Sequence, residues 1–264
     1  GGGGGMTVDL DGGGGGAIDF GMQAPGLARP DMYELDHGPN GLDVQGHSRR
    51  FSWRKVKDNA NTEGYTSIAI PGTVAGLTTA LEKWGTIELD QAVAPAIRLA
   101  QDGFPLSRTV AVMMADRHAL LSRFPVTSEI YLNNGSPLSP GAHFVQKEHA
   151  QTLERIGRNG PSEMYGGETG ARIAEDVEKN GGYLRLSDFE QYRPIVHDRP
   201  LTGTYRGFGI SGVTGPCAGP TAFEILNILG QFDLAGMGHG SADFLHTLIE
   251  AVKLAAVDRF SFMG

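Results

Sequence analysis

The chain has 264 residues, of which 40% are hydrophobic and 20% charged, with a net charge of −8. No run of Lys or Arg exceeds two residues, which excludes the clustered basic face that nucleic acid requires and argues against an anionic membrane surface. The single cysteine, Cys217, rules out an internal disulfide and any multi-cysteine metal site, and no apolar stretch reaches the length of about eighteen residues that a membrane-spanning helix needs.

Glycine is over-represented, with 40 residues, and two five-residue runs, Gly1–Gly5 and Gly12–Gly16, flank the strand-like MTVDL. The second run joins MTVDL to AIDF and predicts a hairpin. The first reads as a flexible linker or as a loop that needs close backbone approach. In AIDFGMQAP the strand closes at Pro25 and leaves Gly21, Met22 and Gln23, three uncharged residues, at its exit. Loops at strand ends are where binding groups collect. Residues 26–66 form a polar excursion with one short strand expected. Val74, Leu77, Leu81 and Trp84 then fall at helical spacing, and Gly85 ends the helix. LDQAVAPAIRLAQDG predicts a second helix whose first turn is marked by Pro95 and which Gly103 closes.

Residues 104–124 read as helical, and FPVTSEIYLNNGSPLSPGAHFVQ as a turn-rich connection. Short helices follow in HAQTLERIGRNG, TGARIAEDVEKNGGY and SDFEQY. A hairpin lies in PLTGTYRGFGISGV, and two apolar helices close the chain. With so few strands, much of the sheet is expected to belong to another chain.

The chain carries no HExxH, CxxC, GxSxG or P-loop spacing. The eight histidines are scattered: His143 and His149 read as surface residues and His246 as a packed one. Asp36-His37 and His197-Asp198 are sequence neighbours, which rarely face each other. Cys217, in TGPCAGP, precedes a helix that could lower its thiol pKa, but a structural loop is the favoured reading. No metal site and no cofactor are expected.

Several stretches in fixed order resemble the large chain of gamma-glutamyltranspeptidases. They are GGGGGMTV, AIDFGMQAP, PGTVAGLTTALEKWGTIELDQAVAPAIRLAQDGFPLS (71–107), YGGETGARIAEDVEKNGGYLRLSDFEQYRP (165–194), PLTGTYRGF (200–208) and ILNILGQFDL…GSADFLHTLIEAVKLAAVDR (225–259). The resemblance implies an α+β fold, the αββα sandwich of an N-terminal-nucleophile hydrolase. Residues 1–264 would be the large-chain part of one such domain, completed by a separate small chain. It further implies a precursor that cuts itself ahead of a threonine. That threonine would open the small chain and act as nucleophile, its own amine serving as base, with an oxyanion hole holding the acyl intermediate. No catalytic residue is then expected in this chain. The glycine-rich start resembles a GGGGF-type loop near the active site, with Met6 where the aromatic usually stands.

At one place the resemblance breaks. Family members carry an arginine at the strand exit that grips the α-carboxylate of the γ-glutamyl donor, a task for a planar, permanently charged fork. Here Gly21 occupies its place, and Met22 and Gln23 restore no positive charge. Gly21, Met22 and Gln23 are therefore the expected substrate-binding residues. Three readings follow: a cation such as Arg29, Arg49, Arg50 or Arg54 takes over the carboxylate; the enzyme hydrolyses a different amide, as oxamate amidohydrolase and cephalosporin-acylase-like relatives do; or the glutamyl machinery is a relic. The second is preferred. The expected partners are the small chain, a small-molecule amide and, at most, a further copy of the heterodimer, in a periplasmic, secreted or cytoplasmic setting. The rival outside the enzyme class is a non-catalytic homologue.

Overall fold

A glycine-linked hairpin begins the computed structural model, which describes residues 2–11, 13–36, 55–214 and 217–262. Strands β1 (Gly5–Asp9) and β2 (Gly15–Asp19) pair antiparallel, Gly5 opposite Asp19 and Asp9 opposite Gly15, as the second glycine run predicted. Between 26 and 66 the described residues hold two 3-10 turns and an isolated bridge from Leu35 to Val56, and no strand lies among them. Residues 37–54, with Arg49, Arg50, Arg54 and His37, lie outside the described part. Helix α1 (Thr73–Trp84) follows as expected.

The chain divides into two compact units, Gly1–Trp84 with Arg172–Gly264, and Gly85–Ala171. In the second, α2 (Leu89–Asp102) begins six residues before Pro95, which lies inside the helix and does not mark its start. The first turn is held instead by Gln91, whose side-chain oxygen accepts the Glu88 N–H at 3.3 Å, so the helix has no need of proline to begin. The stretch 104–124 is also not one helix. Strand β3 (Phe104–Pro105) precedes α3 (Arg108–Asp116), where the Ser107 hydroxyl accepts the Val110 N–H at 3.3 Å, and α4 (His118–Leu121) follows. The expected turn-rich connection contains α5 (Pro125–Tyr131), with Pro125 in the first turn, where its fixed φ suits a helix and its missing N–H costs nothing. Strands β4 (Leu132–Asn133) and β5 (Ser136–Pro137) pair, and β6 (His143–Phe144) pairs with β3.

Helix α6 (Lys147–Asn159) carries Arg155 and Asn159 toward Glu163, which is buried. The Glu163 carboxylate accepts from Thr169 Oγ1 at 2.6 Å, Asn159 Nδ2 at 2.9 Å and Arg155 Nε at 3.1 Å. The Thr169 hydroxyl, then Asn159 and Arg155, outweigh burial and hold this carboxyl below its ordinary value. A group with a lowered folded pKa adds stability that is present above its unfolded pKa and lost as pH falls through the folded one. Unfolding midpoints are therefore expected to drop below about pH 4.5. Glu163→Ala, which strands three donors, should cost about 1.5–3 kcal/mol and flatten that acid dependence; urea unfolding between neutral and acid pH checks both. A steep acid transition retained in the variant would contradict the assignment.

Helix α7 (Glu168–Lys179) and α8 (Leu186–Gln191) lead to β7 (Ile195–His197), which pairs with β2, so β2 is the central strand of a three-stranded antiparallel sheet ordered β1-β2-β7. Buried between both neighbours, Ala17 and Ile18 are each 0% exposed. The predicted hairpin is β8 (Leu201–Tyr205) and β9 (Phe208–Gly212). Helices α9 (Ala218–Leu229), α10 (Leu234–Met237) and α11 (Ala242–Phe262) end the first unit. Ala251 and Ala255, one turn apart on α11, are buried, while Leu245, Ile249, Val252 and Phe260 leave a second, apolar face of the same helix exposed.

Candidate substrate site at the exit of strand β2

The ladder of β2 continues one residue past the strand, because Phe20 N–H donates to the Gly4 carbonyl at 2.9 Å and Gly4 N–H to that of Phe20 at 3.2 Å. The chain then passes between two backbone walls. On one side lies the glycine start: a Cβ on Gly3 would stand 2.6 Å from Met22 N and 2.7 Å from the Phe20 carbonyl oxygen. Close approach, not linker flexibility, is thus what the first glycine run supplies. On the other side lies the entry to α1. There the Gly2 carbonyl accepts from Gly72 N–H at 2.7 Å and Thr73 N–H at 3.1 Å, satisfying donors that a helix start leaves open. A Cβ on Gly72 would collide with the Tyr192 hydroxyl and the Phe20 carbonyl.

Two buried residues from α8 and its end fix the exit. The Tyr192 hydroxyl donates to the Gly21 carbonyl at 3.0 Å. Asp188 accepts Gly26 N–H on one oxygen at 2.8 Å and Arg185 N–H on the other at 2.7 Å, tying the loop after the strand to the start of α8. Gln23 is held only through its backbone, donating to Ile70 at 3.4 Å and accepting from it at 2.9 Å; its side chain is exposed, and Met22 is 60% exposed. The three expected residues are therefore adjacent on one rigidly bracketed segment with two outward side chains.

Gly21 is not demanded by space. A Cβ there would meet only Asp19 Oδ1, at 3.2 Å, and the same oxygen accepts Gly21 N–H at 2.9 Å. Of the cations considered as replacements, the described one, Arg29, pairs with Asp31 at 3.6 Å with both side chains largely exposed, a surface pair of small energetic weight. Asp19, Asp188 and Tyr192 were not singled out from the sequence. Ser187-Asp188 was visible as a helix start, but not its reach to Gly26.

The remaining polar residues do structural work. His197 Nε2 contacts Thr214 Oγ1 at 3.1 Å, tying β7 to the segment after β9. His143 Nε2 contacts the Asp102 carbonyl at 2.7 Å. The Cys217 thiol donates to the Val213 carbonyl at 3.1 Å, and its own carbonyl accepts from Arg259 at 2.9 Å, as befits a structural loop. Among the described residues no group of three or more His, Cys, Asp or Glu could hold a metal ion, and no helix is long and apolar enough to cross a membrane.

The chain is thus an α+β chain whose central strand ends in a loop pinned by a glycine-rich start and by Tyr192 at the end of α8. The gamma-glutamyltranspeptidase family profile matches residues 1–264, and the chain belongs to that family. It is 35% identical over 243 residues to the acylase ACY 1 proenzyme of Pseudomonas sp. strain V22, covering 92% of this chain and 42% of that protein. It is also 35% identical over 266 residues to the glutathione hydrolase proenzyme of Escherichia coli K12, covering 100% of this chain and 43% of that one. The chain thus spans about two fifths of the length of these relatives. The crystal structure of Helicobacter pylori gamma-glutamyltranspeptidase superposes with a TM-score of 0.87 at 31% identity, over 100% of this chain and 71% of that one.

Proposed function

We propose that this chain is the large-chain part of a single αββα domain in an amide hydrolase or acyltransferase. The N-terminal threonine of a small chain, cut from the same precursor, is its nucleophile. Its substrate is an acyl amide other than an ordinary γ-glutamyl compound, either oxamate-like or another acyl amide. The observation that carries the substrate reading is Gly21: a side chain there would meet only Asp19 Oδ1, the position carries none, and the described candidate cation, Arg29, pairs with Asp31. Relatives named acylase and glutathione hydrolase are equally similar to it, so overall likeness favours neither substrate and the reading rests on the residues of the strand exit. The partner reading is supported by the relatives' designation as proenzymes and by the exposed apolar face of α11, of the kind that marks a protein interface. On this reading, Gly21, Met22 and Gln23 line the acyl pocket.

Mass spectrometry of the full-length product tests the reaction class. Two fragments, the second beginning with Thr, are expected, and the processed enzyme is then offered γ-glutamyl-p-nitroanilide, oxamate and a dicarboxylic monoamide panel. A single uncut chain would favour the non-catalytic homologue. Robust γ-glutamyl turnover by the processed enzyme would favour a relocated carboxylate-binding cation.

A further inference from the structure

Resting on the placement of the acyl group at the exit of β2, we infer that Asp19 makes this subsite select acyl groups bearing an ammonium over those bearing a carboxylate. Its Oδ1 lies 3.2 Å from the point where a side chain of residue 21 would begin. The carboxylate therefore stands on the side of the strand from which the family's arginine would project. Its one hydrogen bond is to the neutral Gly21 N–H at 2.9 Å, and no ion pair to it exists among the described residues. Phe20, Gly21, Met22 and Gln23 bring no charge of their own. The Gly21 N–H, the backbone group here that could donate to a substrate anion, is already engaged by Asp19. Where the arginine's charge would offset the aspartate, this chain leaves the negative charge uncompensated. A substrate carboxylate is repelled there and an ammonium attracted, because like charges brought together at an interface carry a large penalty.

The test offers the processed, full-length protein three p-nitroanilides of equal acyl length, bearing an ammonium, no charge or a carboxylate at the carbon where glutamate carries its α-carboxylate. The expected order of kcat/KM is ammonium, neutral, carboxylate, with the extremes roughly a hundredfold apart. Raising salt to about 0.5 M compresses that range, which a merely structural aspartate would not produce. Asp19→Asn keeps an oxygen for the Gly21 N–H and removes the charge, and is expected to shrink the range to about threefold. If that variant fails to fold, the salt dependence of the wild-type enzyme decides alone. Turnover without this charge order overturns the inference and leaves the reaction class standing. Absence of turnover on all three overturns the acyl-site reading and the inference together.

Discussion

Gly21→Arg is expected to raise kcat/KM for γ-glutamyl-p-nitroanilide by roughly 30-fold to a thousandfold over the wild-type enzyme, the range of about 2–4 kcal/mol that a desolvated charge pair contributes. The backbone at 21 accepts a side chain, and the only atom near its Cβ is Asp19 Oδ1, 3.2 Å away. That oxygen would flank the new guanidinium and help hold it at the exit. The gain should fall mainly in KM if the arginine only anchors the donor, and in kcat as well if it also aligns the scissile amide. Gly21→Lys should recover much less, because a point charge lacks the two-pronged fit to a carboxylate. A folded, processed Gly21→Arg enzyme with no gain would mean that the missing arginine is not what excludes the γ-glutamyl donor.

The largest loss of stability is expected from Gly72→Ala. Its methyl would enter the space of the Tyr192 hydroxyl and the Phe20 carbonyl, and a well-packed backbone junction yields to such insertion only at about 2–4 kcal/mol. For a protein of this size that corresponds to a fall of roughly 5–15 °C in Tm. The damage reaches function as well, since the Gly72 N–H holds the Gly2 carbonyl and Tyr192 holds Gly21. Combining Gly72→Ala with Tyr192→Phe removes one of the two colliding oxygens, so the double variant should lose less than the sum of the single ones. Calorimetry of the four proteins measures this coupling; strict additivity would contradict the packing described.

The hairpin β1–β2, helix α1 and the β8–β9 hairpin were legible because each is coded locally: glycines between alternating strands, and an apolar period closed by Gly85. Prolines misled because one residue type has several meanings. Pro95 reads as a helix start and lies inside α2, while Pro125 reads as part of a turn and stands in the first turn of α5. The segment proposed as the substrate site stands out in the sequence as a position, but its surroundings do not. Gly21 was conspicuous through the family pattern, yet its fixation by Tyr192 and that of Gly26 by Asp188 join residues 171 and 162 positions apart. Such pairings arise from tertiary packing and leave no periodic trace. The role of the first glycine run is likewise set by a tertiary contact, that of Gly3 with the backbone of Met22 and Phe20.

The proposed reading is that glycine in place of the arginine at the strand exit withdraws the γ-glutamyl substrate while the family's chemistry is kept. It is tested most directly by assaying the wild-type, self-processed protein on γ-glutamyl-p-nitroanilide beside a neutral acyl p-nitroanilide of the same length. The account predicts a kcat/KM for the γ-glutamyl compound at least about tenfold below that of the neutral one. A γ-glutamyl preference at low and high salt alike would contradict it.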